Sequence, residues 1–281
     1  MSGVNAGSGP LAGTTLALIG AGNMGFAMLQ GWATGGLSGD SVVVIEPNPS
    51  PQLRELCAAR GFPLRATPEA GAPRAAVVLA IKPQMLDAGA AAATPFVGPE
   101  TLVVSILAGK RIADLSARLP ASPAIVRAMP NTPAAVGRGI TGAFASPATG
   151  AARQARANAL LAAIGQVEWL DDEAQIDALT AVSGSGPAYV FYLVEALAAA
   201  GVEAGLPPAL AERLARATVE GAGELLYRQP ETAAATLRER VTSPGGTTAA
   251  ALAVLMADDG LAPLMARAVA AAKRRAGELS G

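Results

Sequence analysis

Five short apolar runs punctuate the first half of the chain: Leu16-Ala17-Leu18-Ile19, Val42-Val43-Val44-Ile45, Val77-Val78-Leu79-Ala80-Ile81, Leu102-Val103-Val104-Ser105-Ile106 and Ala124-Ile125-Val126. Nearly every position in them is apolar, with no alternation of polar residues. Runs of this kind predict strands buried on both faces, as in a parallel sheet covered by helices. The intervening segments are long enough for crossover helices, for example Met24 to Gly35 and Gln52 to Arg60. Ile140 to Ala145 and Val167 to Leu170 are two weaker strand candidates.

Beyond Asp172 the strand pattern stops. Ala/Leu-rich segments at helical spacing follow: Glu173 to Val182, Pro187 to Ala200, Pro208 to Leu226, Glu231 to Val241, Thr247 to Met256 and Leu261 to Glu278. Pro187 and Pro208 sit where a first helical turn tolerates a missing N–H. The pattern predicts an α/β domain over residues 1–172 and an all-α domain over 173–281. Residues 1–13, rich in Gly, Ser and Ala, read as a loose tail.

Composition narrows the chemistry. The 281 residues are 51% hydrophobic and 15% charged, which excludes a disordered chain. A formal net charge of −1 offers no basic surface for nucleic acid. No uninterrupted apolar run approaches the ~20 residues of a membrane helix. The first basic residue is Arg54, so the N-terminus has no positive n-region. A soluble cytoplasmic protein is the expectation. The chain has no histidine and a single cysteine, Cys57. Ser-His-Asp triads, imidazole bases, His zinc sites and internal disulfides are therefore excluded, and no metal site is expected.

The first run leads directly into Gly20-Ala21-Gly22-Asn23-Met24-Gly25, a G-x-G-x-x-G that opens a helix. In such a loop the first glycine makes the turn and the second lets backbone approach a pyrophosphate. The third permits close helix–strand packing. Glu46 follows the second run about twenty residues later, where a carboxylate accepts hydrogen bonds from an adenosine ribose. It would repel a 2′-phosphate, and no Arg or Lys occurs in Glu46-Pro47-Asn48-Pro49-Ser50, so NADH is expected over NADPH.

In open parallel sheets, ligands bind beyond the carboxyl ends of the strands. Ala80-Ile81-Lys82-Pro83-Gln84, Ser105-Ile106-Leu107-Ala108-Gly109 and Arg127-Ala128-Met129-Pro130-Asn131-Thr132-Pro133 fall there. Lys82 is either a cation for cofactor or substrate, or a loop charge. In the helical half, Ser183-Gly184-Ser185-Gly186-Pro187 and Thr242-Ser243-Pro244-Gly245-Gly246-Thr247-Thr248 each put hydroxyls and backbone N–H groups at a helix start. That arrangement suits a carboxylate ligand and equally suits ordinary capping.

Together, Ile19 to Gly25, Ala80-Ile81-Lys82-Pro83, Met129-Pro130-Asn131-Thr132-Pro133, Ser183 to Tyr189 and Val241 to Thr248 resemble the pyrroline-5-carboxylate reductase family, in the family's order and over almost the whole chain. The resemblance implies reduction of 1-pyrroline-5-carboxylate to L-proline. The implied fold is a Rossmann-type doubly wound parallel sheet followed by an all-α dimerisation domain, assembled as dimers or rings of dimers. It implies NADPH or NADH as cofactor. Its contacts would be Ile19, Gly20, Ala21, Gly22, Asn23, Met24 and Gly25, the segment Ala80, Ile81, Lys82 and Pro83, and Leu107, Ala108 and Gly109, with Glu46 at the ribose. Ser185, Ser243, Gly246, Thr247 and Thr248 would bind substrate, with Glu173 matched less closely. Thr248 would be the catalytic hydroxyl, serving the ring nitrogen.

Two positions depart from the family. A Ser, Arg or Thr cluster for the 2′-phosphate is replaced here by Glu46, and the residue before Val241 is Arg240 where Asn or Gln is common. Both bear on cofactor choice. A β-hydroxyacid dehydrogenase would want a helix-borne lysine, and no lysine falls within 173–272. A non-catalytic dinucleotide sensor would not need the Ser-Pro-Gly-Gly-Thr-Thr loop.

Overall fold

The computed structural model describes Leu11, residues 13–69 and residues 71–280. Most of the expected N-terminal tail lies outside the described residues. The chain forms two compact units, residues 1–184 with 273–281, and residues 185–272.

In the first unit, Leu16–Ile19 (β1) and Val42–Ile45 (β2) are strands over the runs that predict them. Ala76–Leu79 (β4), Leu102–Ser105 (β5) and Ala124–Met129 (β6) follow the other three. Leu64–Arg65 (β3) has only two residues and no apolar run to announce it. Gly139–Ala145 (β7) and Gly165–Trp169 (β8) complete a sheet of order β3-β2-β1-β4-β5-β6-β7-β8. From β3 to β6 every pair is parallel, but β7 runs antiparallel to β6 and β8 parallel to β7. The five predicted runs form the expected parallel sheet, and the one antiparallel pairing joins the edge strands β7 and β8 to it. The nine residues between β6 and β7 are fewer than the dozen or so a parallel crossover needs, so the chain turns back instead.

Alternate residues of the central strands feed two cores. Leu16, Leu18, Val42, Val44, Val78 and Val104 pack on one face, under Asn23–Thr34 (α1), Pro51–Arg60 (α2) and Gly150–Ala162 (α5). Ala17, Ile19, Val43, Val77, Leu79 and Val103 pack on the other, under Leu86–Ala93 (α3) and Ile112–Arg118 (α4). Two buried faces explain why the strand runs lack polar alternation. Trp32 of α1 is fully buried and donates its indole N–H to Leu160 O of α5 at 2.9 Å. Burial also raises the Cys57 thiol above its ordinary pKa by desolvation, so the thiol stays protonated in this core.

The expected helix from Glu173 to Val182 is divided. Gln175–Leu179 (α6) gives way to a π-helical turn, Thr180–Gly184. In the second unit, Gly186–Glu203 (α7) packs along Pro208–Arg228 (α8), and a Cβ at Gly201 would stand 3.2 Å from the Ala211 Cβ. Ala234–Arg240 (α9) and Thr247–Leu255 (α10) follow. Leu261–Ser280 (α11) begins in this unit and returns its final turns, from Lys273, to the first. None of α7's 18 residues is buried, and Phe191 and Tyr192 are 63% and 70% exposed. By length and composition the helical stretch Gln175–Glu203 could cross a membrane. The expectation of no uninterrupted apolar run still holds, because its apolar residues are interspersed with Asp177, Glu195, Ser, Gly and Tyr.

Candidate active site

The glycine loop has the geometry its spacing requires. Gly20 adopts φ +86°, and a Cβ there would meet Ile81 Cγ2 at 2.7 Å and Ala80 O at 2.8 Å. At Gly25 a Cβ would stand 2.6 Å from Gly20 O, so α1 sits too close to the turn for any side chain. Gly22 is different: a Cβ there meets nothing within 4 Å. It is the N-cap of α1, with extended backbone and no side-chain cap hydrogen bond. The N-terminus of a 12-residue helix therefore faces open space with its first N–H groups available, which favours an anion.

A cavity of about 520 Å³ lies in front of this loop. It draws together Ile19, Gly20, Gly22, Glu46, Ala80, Ile81 and Lys82 from the ends of β1, β2 and β4. Lys82 is the cation among its lining residues. Ala21, Asn23, Met24, Gly25 and Pro83 flank that lining in the chain without being part of it. Glu46 binds the loop itself: Oε2 accepts the Ala21 N–H and Oε1 the Asn48 N–H, each at 2.9 Å. Its carboxylate thus braces the glycine turn as well as facing the cavity. Asn48 and Thr67, not singled out by the motif, also line it. The open Gly22 face, the uncapped helix start and this carboxylate-lined cavity fit a dinucleotide.

Leu107, Ala108 and Gly109 follow β5, the strand beside β4, and do not line that cavity. The Leu107 side chain is 2% exposed within the core, so only its backbone can face a ligand. Ser105 Oγ accepts the Leu107 N–H at 3.3 Å. Asn131 joins the loop after β6 to the π-helical turn. Its Nδ2 donates to Ser183 O at 3.2 Å, and its Oδ1 accepts the Ile140 N–H at 2.9 Å.

Glu173 Oε1 accepts the Ile112 N–H at 2.9 Å and lies 3.2 Å from Arg127 Nη1. Arg127, expected with the segment beyond the strand end, lies instead inside β6 and is buried, where a charge directly after three apolar strand residues demands a buried partner.

In the second unit, Ser185 is the N-cap of α7 and makes no side-chain cap bond. Ser243 O accepts the Gly246 N–H at 3.0 Å and Gly245 takes φ +69°, a tight turn that delivers Gly246 as the N-cap of α10. No side chain among the described residues caps α10, whose first two residues are Thr247 and Thr248. Arg240 donates instead to Gln229 Oε1 at 3.1 Å. Among the described residues no group of three or more metal-ligating side chains occurs.

Comparison with known proteins adds independent findings. Residues 173–279 match the family model for pyrroline-5-carboxylate reductase dimerisation. Residues 15–109 match that for NADP oxidoreductase, coenzyme F420-dependent. The pyrroline-5-carboxylate reductase of Pseudomonas aeruginosa is 41% identical over 265 residues, covering 94% of this chain and 96% of that protein. A solved pyrroline-5-carboxylate reductase from Coxiella burnetii superposes with a TM-score of 0.86 at 34% identity, covering 95% of this chain and 99% of its own. The Plasmodium falciparum pyrroline carboxylate reductase, solved with NADP bound, superposes with a TM-score of 0.76 at 25% identity, covering 96% and 99%.

Proposed function

The chain belongs to the pyrroline-5-carboxylate reductase family, and on that premise we propose how its residues reduce 1-pyrroline-5-carboxylate to L-proline, the last step of proline biosynthesis. When bound, a reduced nicotinamide dinucleotide supplies the hydride. Gly20, Gly22 and the start of α1 hold the pyrophosphate, and Lys82 on the cavity wall adds positive charge. Ala80 to Pro83 and the backbone of Leu107 to Gly109 form the rest of the cofactor surface. The observation that carries this reading is the open face of Gly22 at an uncapped helix N-terminus.

Thr247 and Thr248 hold the substrate carboxylate through their N–H groups, with Ser243, Gly246 and Ser185 close to the ring. The uncapped start of the nine-residue α10 supports this role. The Thr248 hydroxyl steadies the ring nitrogen. A cyclic imine can be protonated in water before it binds, which makes its carbon electrophilic without an enzymic imidazole. A chain with no histidine suits such a substrate. The protein's main task is then alignment, which can contribute ~7–11 kcal/mol.

NADH is the preferred donor in this proposal. The Glu46 carboxylate, anchored by Ala21 and Asn48, presents negative charge where a 2′-phosphate would approach. The Plasmodium relative was solved with NADP, so the two proteins are expected to differ here. The functional division runs near residue 172, which the dimerisation match from 173 supports. A cytoplasmic dimer is the proposed form, supported by the exposed apolar face of α7. Light scattering distinguishes it from a ring of dimers. The experiment that tests the activity is oxidation of NADH or NADPH on addition of 1-pyrroline-5-carboxylate. Turnover with a higher kcat/KM for NADH is expected, and no turnover with either cofactor would overturn the proposal.

A further inference from the structure

One of the few charges inside the sheet is Arg127 on β6, only 3% exposed. A buried guanidinium needs compensation, and it has two partners. Nη1 lies 3.2 Å from Glu173 Oε1 and Nη2 lies 3.8 Å from Asp177 Oδ1. Both carboxylates reach further. Glu173 Oε1 accepts the N–H of Ile112, the first residue of α4 and the one that follows the loop 107–111. Asp177 Oδ1 accepts from Ser280 Oγ at 3.3 Å, in the last turn of α11. That turn also abuts the loop, because Gly109 takes φ +70° and a Cβ there would stand 2.5 Å from Leu279 O. One ionic node therefore ties β6, α6 and the C-terminal turn to the start of α4, and that same turn lies against Gly109 within the loop.

We propose that Glu173 is a positioning residue for the cofactor, fixing the backbone of Leu107 to Gly109 through the Ile112 amide while Arg127 holds its carboxylate in place. The proposal rests on the reading of Leu107 to Gly109 as cofactor contacts. Its chemistry is specific. Glu173 already serves an amide and a guanidinium within its own unit, so its carboxylate is engaged before any substrate arrives. Its charge stands at the start of α4, where an anion is favoured. Without it, the Ile112 N–H loses its acceptor and Arg127 keeps only the longer contact to Asp177. The loop then keeps the Ser105 and Leu279 contacts, its own turn from the Lys110 N–H to Leu107 O at 3.4 Å and the Arg111 N–H bond to Asp114 Oδ2 at 2.9 Å, but loses its tie to β6.

The test uses full-length protein and NADH binding without substrate, followed by nicotinamide fluorescence, with hydrogen exchange at residues 107–112 and with the imine KM at saturating NADH. Glu173→Ala should weaken NADH about tenfold, as a loosened supporting shell does. It should also speed exchange at Ile112 and leave the imine KM unchanged. Glu173→Gln keeps an amide oxygen for Ile112 and should recover most of the NADH affinity, which covers the case in which the alanine variant fails to fold. A raised imine KM with unchanged NADH affinity would overturn the proposal by making Glu173 a substrate ligand. Wild-type NADH affinity and exchange would overturn it as well. Ala108→Glu, on the loop itself, separates the two layers. If it binds NADH normally, the cofactor reading of the loop fails and the proposal with it. If it weakens NADH while Glu173→Ala does not, the positioning role alone fails.

Discussion

Replacing Gly22 with alanine adds one methyl group at a position where it touches nothing within 4 Å. The backbone there has φ −64°, which any residue adopts, so no strain accompanies the change. Two small effects act on the empty protein. Alanine restricts the unfolded chain, which stabilises by about 0.4–1 kcal/mol, and it is a poorer N-cap than glycine by a comparable amount. They nearly cancel, so stability should stay within about 0.5 kcal/mol of wild type. Binding is a different matter, because the methyl fills the space in front of the α1 N-terminus and lines the cavity that the cofactor would enter. Displacing a pyrophosphate from those N–H groups should weaken NADH tenfold to a hundredfold, about 1.4–2.7 kcal/mol. Gly25→Ala is the contrasting case. Its Cβ would press on Gly20 O at 2.6 Å, so it should lower stability by about 1–3 kcal/mol as well as binding. Denaturant melts and fluorescence titrations with NADH measure both quantities. A Gly22→Ala protein that binds NADH as tightly as wild type would refute the role given to this loop.

Further outcomes follow from other parts of the molecule. Thr248→Ala should lower kcat/KM for the imine by about tenfold to a hundredfold while leaving NADH binding intact, and an unchanged value would remove the hydroxyl from the mechanism. Glu46→Ser should shift the ratio of kcat/KM values toward NADPH by about tenfold, since it removes charge repulsion at the 2′-position; a fixed ratio would mean that Glu46 only braces the turn. Trp32→Phe should cost about 1–3 kcal/mol in a denaturant melt, from the lost bond to Leu160 O and the smaller ring.

The parts of the fold that were legible in the sequence are those whose surroundings act on every residue. Leu16 and Leu18 enter one core and Ala17 and Ile19 the other, so the strand is apolar throughout and reads as buried on both faces. β3 carries no such mark, because two residues paired to Val44 and Ile45 need no run of their own. The reversal of β7 was hidden from hydrophobicity, which does not encode direction, and the expected strands ending at Val126 and starting at Ile140 left a connection long enough for either sense. The π-helical turn escaped notice because Thr180 to Gly184 continues the apolar and small-residue pattern of α6.

The site divides in the same way. Gly20, Gly22 and Gly25 were legible because backbone geometry there admits no side chain, or leaves room that a ligand can use. The brace from Glu46 to Ala21 was not, since a strand-end acid reads equally well as a ribose ligand. Arg127, Glu173 and Ser280 are far apart in the chain, and local pattern says nothing about which carboxylate meets a buried arginine. The support that Leu279 lends to Gly109 spans most of the length of the protein and has no sequence signal at all.

The central claim is hydride transfer to a cyclic imine, and isotope transfer tests it most directly. NADH carrying deuterium at the transferable position of the nicotinamide ring is incubated with the protein and 1-pyrroline-5-carboxylate, and the product is examined by mass spectrometry and NMR. The account predicts L-proline with one deuterium on the ring carbon that had been double-bonded to nitrogen, formed in step with the NADH consumed. Proline without the label, or consumption of NADH without proline, would contradict it.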